Sequence, residues 1–326
     1  MPQPDMLEPQ RWHQIHDQLD RSVAEAALAY LRSLASRHIH FDRDEMMREI
    51  AELKLGREPN YSLPGFALLY ALRYMPRRAI SILGALHVTL GDRYPVQVLD
   101  VGSGTGATAL ALHVSDMPRH IELSGIEQSQ EMIAFAEGLP VRRRVSTRFT
   151  QGSLLDLLGS TLRQNRYDLV VLSAALPYGF DQMKEVAEGF KSYDTNEGTM
   201  VLVIEPESKT EFLDAFEHEF KAKGWPTARL CCHDLPDILK QNDIPLKEME
   251  AVAKRIGLDK EEFPIRSWWN PPDDRFLIAN PQPAWPLAAP AITSLAERTI
   301  ASDVKTTTAP PAHSRLISAV GIYSEA

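Results

Sequence analysis

The sequence predicts an α/β protein in which a seven-stranded, mostly parallel, doubly wound sheet follows an N-terminal helical lobe. From Val96 onward, apolar segments typical of buried strands alternate with helix-forming segments, a pattern that favours a parallel sheet covered by helices on both faces. The first of these strands ends in a turn with three alternating glycines, Gly102, Gly104 and Gly106. A helix-forming segment follows this turn at once, so a ligand site is expected where the strand ends.

Residues 1–90 are predicted to form the helical lobe, because their apolar residues recur at helical spacing. The predicted elements are a helix over 9–36, a second helix from Asp42 or Asp44, and two short helices that begin at Pro64 and Pro76. We expect the aromatic residues of the segment Tyr61 to Leu90 to belong to the core rather than to a binding site.

Residues 91–281 are predicted to form the sheet domain, with an insertion at 235–274 that contains a helix near 246–256. The predicted strands are 96–101, 120–126, 145–150, 167–174, 199–204, 227–232 and 275–280. The predicted helices between them lie near 106–114, 128–138, 154–164, 181–192 and 207–223. Right-handed crossovers would bring the carboxyl end of every strand to one edge of the sheet, where ligands bind in open α/β sheets.

The last segment, 282–326, is rich in proline, alanine and threonine and is predicted to be a largely disordered tail. Its final stretch, 316–323, is apolar. This stretch is therefore a candidate docking segment for a protein partner or for the body of the chain.

The composition is that of a globular protein, with 326 residues, 44% hydrophobic positions and a formal charge of −9. The negative charge opposes indiscriminate binding to phosphate backbones. The sequence has no run of about 18 apolar residues that would predict a membrane span. Its first residues lack the pattern of a secretion signal, and it has only two cysteines. We therefore expect a cytoplasmic protein with no membrane association.

The glycine-rich turn supports two interpretations. Gly102, Gly104 and Ala107 satisfy the dinucleotide-binding pattern G-x-G-x-x-G/A, which is a weak match when it stands alone. Asp100 lies two residues before the first glycine, and it extends the pattern to D-x-G-x-G-x-G at a strand end. Asp100 therefore favours a second interpretation, in which the turn binds a ligand other than a dinucleotide.

This extended pattern resembles motif I of the class I S-adenosylmethionine-dependent methyltransferases, whose fold is a Rossmann-like sheet of seven strands. The resemblance covers residues 96–280 and implies S-adenosylmethionine as cofactor. In that family the acid at the position of Asp100 orders the methionine end of the cofactor. Glu127 ends the second predicted strand, where the family places an acid that binds the ribose hydroxyls, and Ser153 follows the third, where a short polar residue meets the adenine. The cofactor-binding residues that the resemblance implies are Asp100, Gly102, Ser103, Gly104, Gly106, Glu127, Gln128, Ser153, Leu154 and Ser173.

The fourth predicted strand is followed by Ala174-Ala175-Leu176-Pro177-Tyr178. In the family this position lies beside the transferred methyl group, and amino-group methyltransferases often carry Asp/Asn-Pro-Pro-Tyr there. The present loop keeps only the proline and the aromatic residue. Tyr178 is therefore the candidate catalytic residue, and an ordinary loop with a buried tyrosine stays open as the alternative.

A narrower resemblance points to the family of the mitochondrial small-ribosomal-subunit assembly methyltransferase and its bacterial relatives. Glu205-Pro206 and Cys231-Cys232-His233 carry it. Members of that family bind an iron–sulfur cluster through additional cysteines, which this chain lacks. Two thiolates and one histidine do not complete a four-ligand site, so no metal centre is expected.

The resulting functional prediction is methyl transfer from S-adenosylmethionine to a small molecule or to an RNA or ribosome-related acceptor. RNA could contact the basic cluster Arg142, Arg143, Arg144 and Arg148. The alternative is a non-catalytic S-adenosylmethionine-binding assembly factor or scaffold. An NAD-dependent oxidoreductase is less favoured, because no Ser/Tyr-Lys or His-Asp hydride-transfer set is evident.

Overall fold

The computed structural model describes seven helices and seven strands within part of the chain. The described residues are 8–55, 57–90, 95–115, 117, 119–141, 143–153, 155, 161, 166–175, 186, 190, 199–231, 235, 244–258 and 274–279. The helices in these ranges are α1 (Pro9–Ser36), α2 (Arg43–Lys54), α3 (Phe66–Leu90), α4 (Ala107–Val114), α5 (Gln130–Ala136), α6 (Thr210–Ala222) and α7 (Lys247–Arg255). The strands are β1 (Gln97–Val101), β2 (Ile121–Glu127), β3 (Val145–Gln151), β4 (Leu169–Ser173), β5 (Met200–Pro206), β6 (Thr227–Cys231) and β7 (Asp274–Ala279).

The seven strands form one sheet in the order β3-β2-β1-β4-β5-β7-β6, which confirms the predicted α/β fold. Strands β1 to β5 pair in parallel, whereas β7 is antiparallel to both β5 and β6. The expectation that every strand ends at the same edge is therefore wrong for β7. Because β7 runs in the opposite direction, its first residue, Asp274, lies beside the carboxyl end of β5, where it pairs with Pro206.

The lobe begins with two helices that start close to the predicted positions. Helix α1 buries an apolar stripe that includes Trp12, Ile15 and Leu19, at the spacing of one helical face. Helix α2 is preceded by Asp42, whose side chain accepts hydrogen bonds from two backbone amides of the first turn, as an N-cap does.

The third part of the lobe differs from the prediction. A single helix, α3, replaces the two short helices expected at Pro64 and Pro76, and Pro76 lies inside it. An internal proline removes one helical hydrogen bond. The fully buried residues around it, including Leu72, Met75 and Ala79, supply burial energy that offsets this loss.

The lobe and the sheet belong to one compact unit, Met1–Ala288. Helix α3 packs on α4, and α1 packs on α3 and α7. On the other side of the sheet, an aromatic cluster from α6 and its surroundings covers β4 and β5, with Phe212, Phe216, Phe220 and Trp225 among its members. The second unit, Ala289–Ala326, lies outside the described residues, as do the predicted tail and nearly all of the predicted helices 154–164 and 181–192. None of the helices in the described ranges is long and apolar enough to cross a membrane.

Candidate functional site

A cavity of about 240 Å³ opens where β1, β2 and β4 end, beneath the N-terminal part of α3. The sheet supplies Asp100, Glu127 and Ser173 from the strand ends, and the loops supply Gly102, Ser103, Gly104, Gln128, Gly152, Ser153 and Ala175. Its volume is somewhat below the usual range for small-molecule sites, about 300–1,000 Å³. The predicted strand-end residues therefore do come together at one place.

The three glycines of the turn after β1 have positive φ angles of 68°, 52° and 89°, which side chains disfavour. Their surroundings differ. A Cβ on Gly104 would meet only a carbonyl oxygen 4.0 Å away, whereas one on Gly102 would lie 2.6 Å from the Cβ of Ala175. Gly104 thus presents bare backbone to the cavity.

Gly106 does not line the cavity, in contrast to the expectation that it binds the cofactor. It is the residue before α4, and a Cβ there would lie 2.8 Å from Cδ1 of Leu139 and 3.2 Å from the Cβ of Ala136. Its missing side chain allows the turn to approach α5 and the segment after it.

Glu127 joins this turn to the start of α5. Its Oε2 accepts a hydrogen bond from the backbone amide of Gly104 at 2.8 Å, and its Oε1 accepts one from Ser129 N at 2.9 Å. Burial raises the pKa of Glu127 above its ordinary value, although these amides favour the ionised form. Each carboxylate oxygen retains a further acceptor position, which is the chemistry that ribose hydroxyls require.

Asp100 is buried at the end of β1, with 2% of its surface exposed. Burial raises its pKa to about 7; a hydrogen bond from Thr108 opposes the shift, and the charge of Glu127 adds to it. Within the described part of the chain, Oδ2 of Asp100 and the Oγ atoms of Ser103 and Ser173 have no hydrogen-bond partner. Such groups carry a desolvation penalty, so a polar ligand that reached them would relieve it.

The wall beside β4 is made of backbone and small side chains. Ala174 has a φ of 51°, unusual for a residue with a Cβ, and its backbone amide donates a hydrogen bond to the carbonyl of Ile204 at 2.8 Å. Ser153 faces the cavity on the β3 side, and its Oγ accepts from the amide of Leu155 at 3.2 Å. Leu154, the predicted cofactor-binding residue after β3, and Tyr178, the predicted catalytic residue, lie outside the described residues.

The lobe contributes residues that the sequence analysis did not assign to the site. Tyr61, Tyr70, Met75 and Arg78 line the cavity, together with the exposed Glu58. The expectation that the aromatic residues here are only core is therefore wrong for Tyr61 and Tyr70. A usable signal was the i, i+4, i+8 spacing of Tyr70, Tyr74 and Arg78, which places three polar groups on one helical face.

Arg143, Arg144 and Arg148, three of the predicted RNA-binding arginines, are not among the residues that line this cavity. Arg148 is exposed on β3, which is an edge strand, and Arg143 is exposed just before it. Arg144 is partly buried, and Arg142 is outside the described residues. Within the described ranges, no three His, Cys, Asp or Glu side chains are grouped so that they could hold a metal ion; because Cys232 and His233 are not among those residues, the absence of a metal centre stays a prediction.

Comparison with known proteins identifies the family. A family model described as a methyltransferase domain matches residues 95–265, about half of the chain. No curated protein matches. Among solved structures, a putative class I S-adenosylmethionine-dependent methyltransferase from Listeria monocytogenes is 13% identical with a TM-score of 0.42, and the match covers 91% of this chain and 97% of that one.

Two further structures give similar values. A SAM-dependent methyltransferase from Archaeoglobus fulgidus is 14% identical with a TM-score of 0.40, over 63% of this chain and 94% of that one. The plantazolicin methyltransferase BpumL, solved in complex with SAH, is 12% identical with a TM-score of 0.40, over 82% and 98% of the two chains.

The seven-stranded sheet and the cavity at its glycine-rich turn define an α/β protein. The domain match is specific for one chemistry. The chain belongs to this methyltransferase domain family.

Proposed function

We propose that the protein binds S-adenosylmethionine on the glycine-rich turn and transfers its methyl group to an acceptor in the same cavity. The single observation that carries this proposal is the bare backbone of Gly104 between two buried acids, Asp100 and Glu127. A nucleoside joined to an amino acid needs acceptors at both ends, and these two carboxylates lie at the ends of neighbouring strands.

When bound, S-adenosylmethionine supplies an electrophilic methyl group on its sulfonium sulfur. In this arrangement Glu127 would accept hydrogen bonds from the ribose hydroxyls, and Asp100 would stabilise the cationic amino group of the methionine end. Ala174 and Ala175 add no ionisable side chain to the wall beside β4. Catalysis is therefore expected to depend on positioning and on the exclusion of water.

Calorimetric titration tests the cofactor assignment. S-adenosylmethionine should bind the wild-type protein, whereas NAD should not. Because loss of a charge-assisted hydrogen bond typically costs about 1.5–3 kcal/mol, Asp100→Ala and Glu127→Ala should each weaken binding roughly ten- to a hundredfold. Glu122→Ala is the matched control, because Glu122 is an exposed acid on the same strand as Glu127 and binds Gln97. Unchanged affinity in both cavity variants would refute the assignment.

The second candidate function is a non-catalytic S-adenosylmethionine-binding scaffold, favoured by the lack of polar side chains at Ala174 and Ala175. Tritiated-methyl transfer into small-molecule, RNA and protein fractions distinguishes the two. Signal in the wild type that is lost in Gly104→Arg supports catalysis. Intact cofactor binding with no signal in any fraction supports the scaffold. Signal in the RNA fraction is the result expected if RNA is the acceptor and contacts the exposed Arg143 and Arg148. The cytoplasmic location stays a prediction.

A further inference from the structure

The cavity has two ends, and the sheet order assigns them different neighbours. The proposed cofactor residues Gly104, Glu127 and Ser153 lie at or just after the ends of β1, β2 and β3, which form one half of the sheet. Arg78 also lines the cavity, and it lies near Asp274 of β7 and Glu205 of β5, two strands of the other half of the sheet. The part of the cavity beside Arg78 is therefore the part that the proposed cofactor residues leave for another molecule.

Arg78 is a mostly buried cation that its neighbours do not fully satisfy. Its side chain is 15% exposed, and its Nη1 is 3.9 Å from Oδ1 of Asp274, too far for a hydrogen bond. That Asp274 oxygen already accepts a bond from Arg77 at 2.9 Å, and the other one accepts from Ser81 at 2.7 Å. Nη1 of Arg78 has no hydrogen-bond partner among the described residues.

The charge of the surrounding cluster is also unbalanced. Arg77, Arg78 and Lys209 are three cations beside two fully buried carboxylates, Asp274 and Glu205. Glu58 also lines the cavity but is exposed, so water screens its charge. Among the described residues, the buried carboxylates of this cluster are therefore fewer than its cations, and the third carboxylate, Glu58, which also attracts Lys209, is exposed. This arrangement favours an anionic ligand at Arg78.

Tyr70 and Met75 line the cavity on the same helix as Arg78. A tyrosine ring and a thioether are favourable contacts for a flat aromatic group. We propose that the methyl acceptor is a small aromatic acid, whose anionic oxygens bind Arg78 while its ring contacts Tyr70 and Met75. This inference rests on the proposed function, because it requires the cofactor to occupy the other half of the cavity.

The test uses the full-length protein saturated with S-adenosylhomocysteine, with benzoate as the probe and benzamide as its neutral isostere. Calorimetry should show that benzoate binds about tenfold or more tightly than benzamide. A hydrogen bond between two charged groups is stronger than one to a neutral amide by about the free energy of a tenfold change in affinity. Arg78→Met should remove this preference, and Arg78→Lys should keep part of it because it keeps the charge. Arg57→Met is the control, since Arg57 is 68% exposed and pairs with Glu52.

The affinity for S-adenosylhomocysteine is measured first in each variant. If the wild-type protein does not bind it, the proposed function fails; if it binds but benzoate and benzamide bind equally, only the present inference is overturned. An Arg78→Met variant that loses affinity for S-adenosylhomocysteine but keeps the preference for benzoate would show that Arg78 serves the cofactor carboxylate, which also overturns it. Should Arg78→Met fail to fold, the wild-type preference and Arg78→Lys decide.

Discussion

Asp100 is expected to make the stability of the ligand-free protein depend on pH. Its pKa is raised from 3.8 to about 7, so between about pH 4 and pH 7 the folded state holds a proton that the unfolded state has lost. The free energy of unfolding therefore falls as pH rises through this window, by an amount on the order of a few kcal/mol at about 1.4 kcal/mol per pKa unit.

Asp100→Asn should remove this contribution. Urea unfolding between pH 4.5 and 7.5 should show that the variant gains stability relative to the wild type as pH rises. Because the pKa of Glu127 is raised as well, the difference between the two proteins isolates the contribution of Asp100. Parallel pH curves for the two proteins would contradict this expectation.

Cofactor binding should release protons through the same residue. A cationic amino group near Asp100 favours the ionised carboxylate and lowers its pKa. Titration of S-adenosylmethionine near pH 6.5, in buffers with different ionisation enthalpies, should therefore show net proton release by the wild type and much less by Asp100→Asn. Equal release by both proteins would mean that another group loses the proton.

Two glycines of the turn should respond differently to the same change. Gly104→Ala places a Cβ in the cavity, so it should weaken cofactor binding and cost about 1–2 kcal/mol for the left-handed conformation. Gly106→Ala carries a similar backbone cost, and it adds about 1–3 kcal/mol because its Cβ meets Leu139 and Ala136. Urea unfolding should show the larger loss of stability in Gly106→Ala. Calorimetry should show that Gly104→Ala loses more cofactor affinity relative to its loss in free energy of unfolding. The reverse order would contradict the placement of the two residues.

At the scale of elements, the sequence predicted those whose signals are local. The first helix was predicted at 9–36 and is observed as Pro9–Ser36, because its apolar stripe and the adjacent Pro9 mark it in the chain itself. The antiparallel direction of β7 and the continuous α3 were not predicted. Both depend on packing: the direction of a strand is decided by its partners, and Pro76 is tolerated because its neighbours are buried.

Helix α7 shows a further limit, because its N-terminal cap comes from a distant part of the chain. Asp20 of α1 accepts hydrogen bonds from the backbone amides of Glu248 and Met249, at 3.0 and 2.9 Å. Asp20→Ala should therefore destabilise the protein by about 0.5–2 kcal/mol, the usual value of a cap, and hydrogen exchange should increase in Lys247–Arg255. Asp17→Ala, an exposed change on the same helix, is the control; similar exchange in both variants would show that Asp20 does not fix α7.

At the scale of the whole molecule, the sheet half of the site was predictable and the lobe half was not. Asp100 and Glu127 lie at the ends of two adjacent parallel strands and Gly104 follows the first of them, so the fold class alone brings them together. The methyltransferase identity that they indicated is confirmed by the domain match. Arg78 and Tyr70 line the cavity because α3 packs beside the strand ends; their helical spacing places them on one face, but the sequence does not specify that this face lies against the sheet.

The buried Asp274 should couple the lobe to the sheet. It is fully buried on β7 and binds Arg77 and Ser81 of α3. Asp274→Ala would remove the buried carboxylate that pairs with Arg77 and lies nearest Arg78, and breaking a buried ion pair typically costs about 3–5 kcal/mol. Asp214→Ala removes a carboxylate that is 68% exposed and pairs with Arg229, so it should cost less than about 1 kcal/mol.

Urea unfolding followed by both tryptophan fluorescence and far-ultraviolet circular dichroism measures this coupling. The wild type should give coincident transitions, as expected of one cooperative unit. Two of the five tryptophans, Trp12 of α1 and Trp225 of the aromatic cluster, place fluorescence reporters in both the lobe and the sheet. In Asp274→Ala both transitions should move together to lower urea concentration. Transitions that separate in the wild type, or a loss no larger than that of Asp214→Ala, would show that the lobe and the sheet are stabilised independently of this contact.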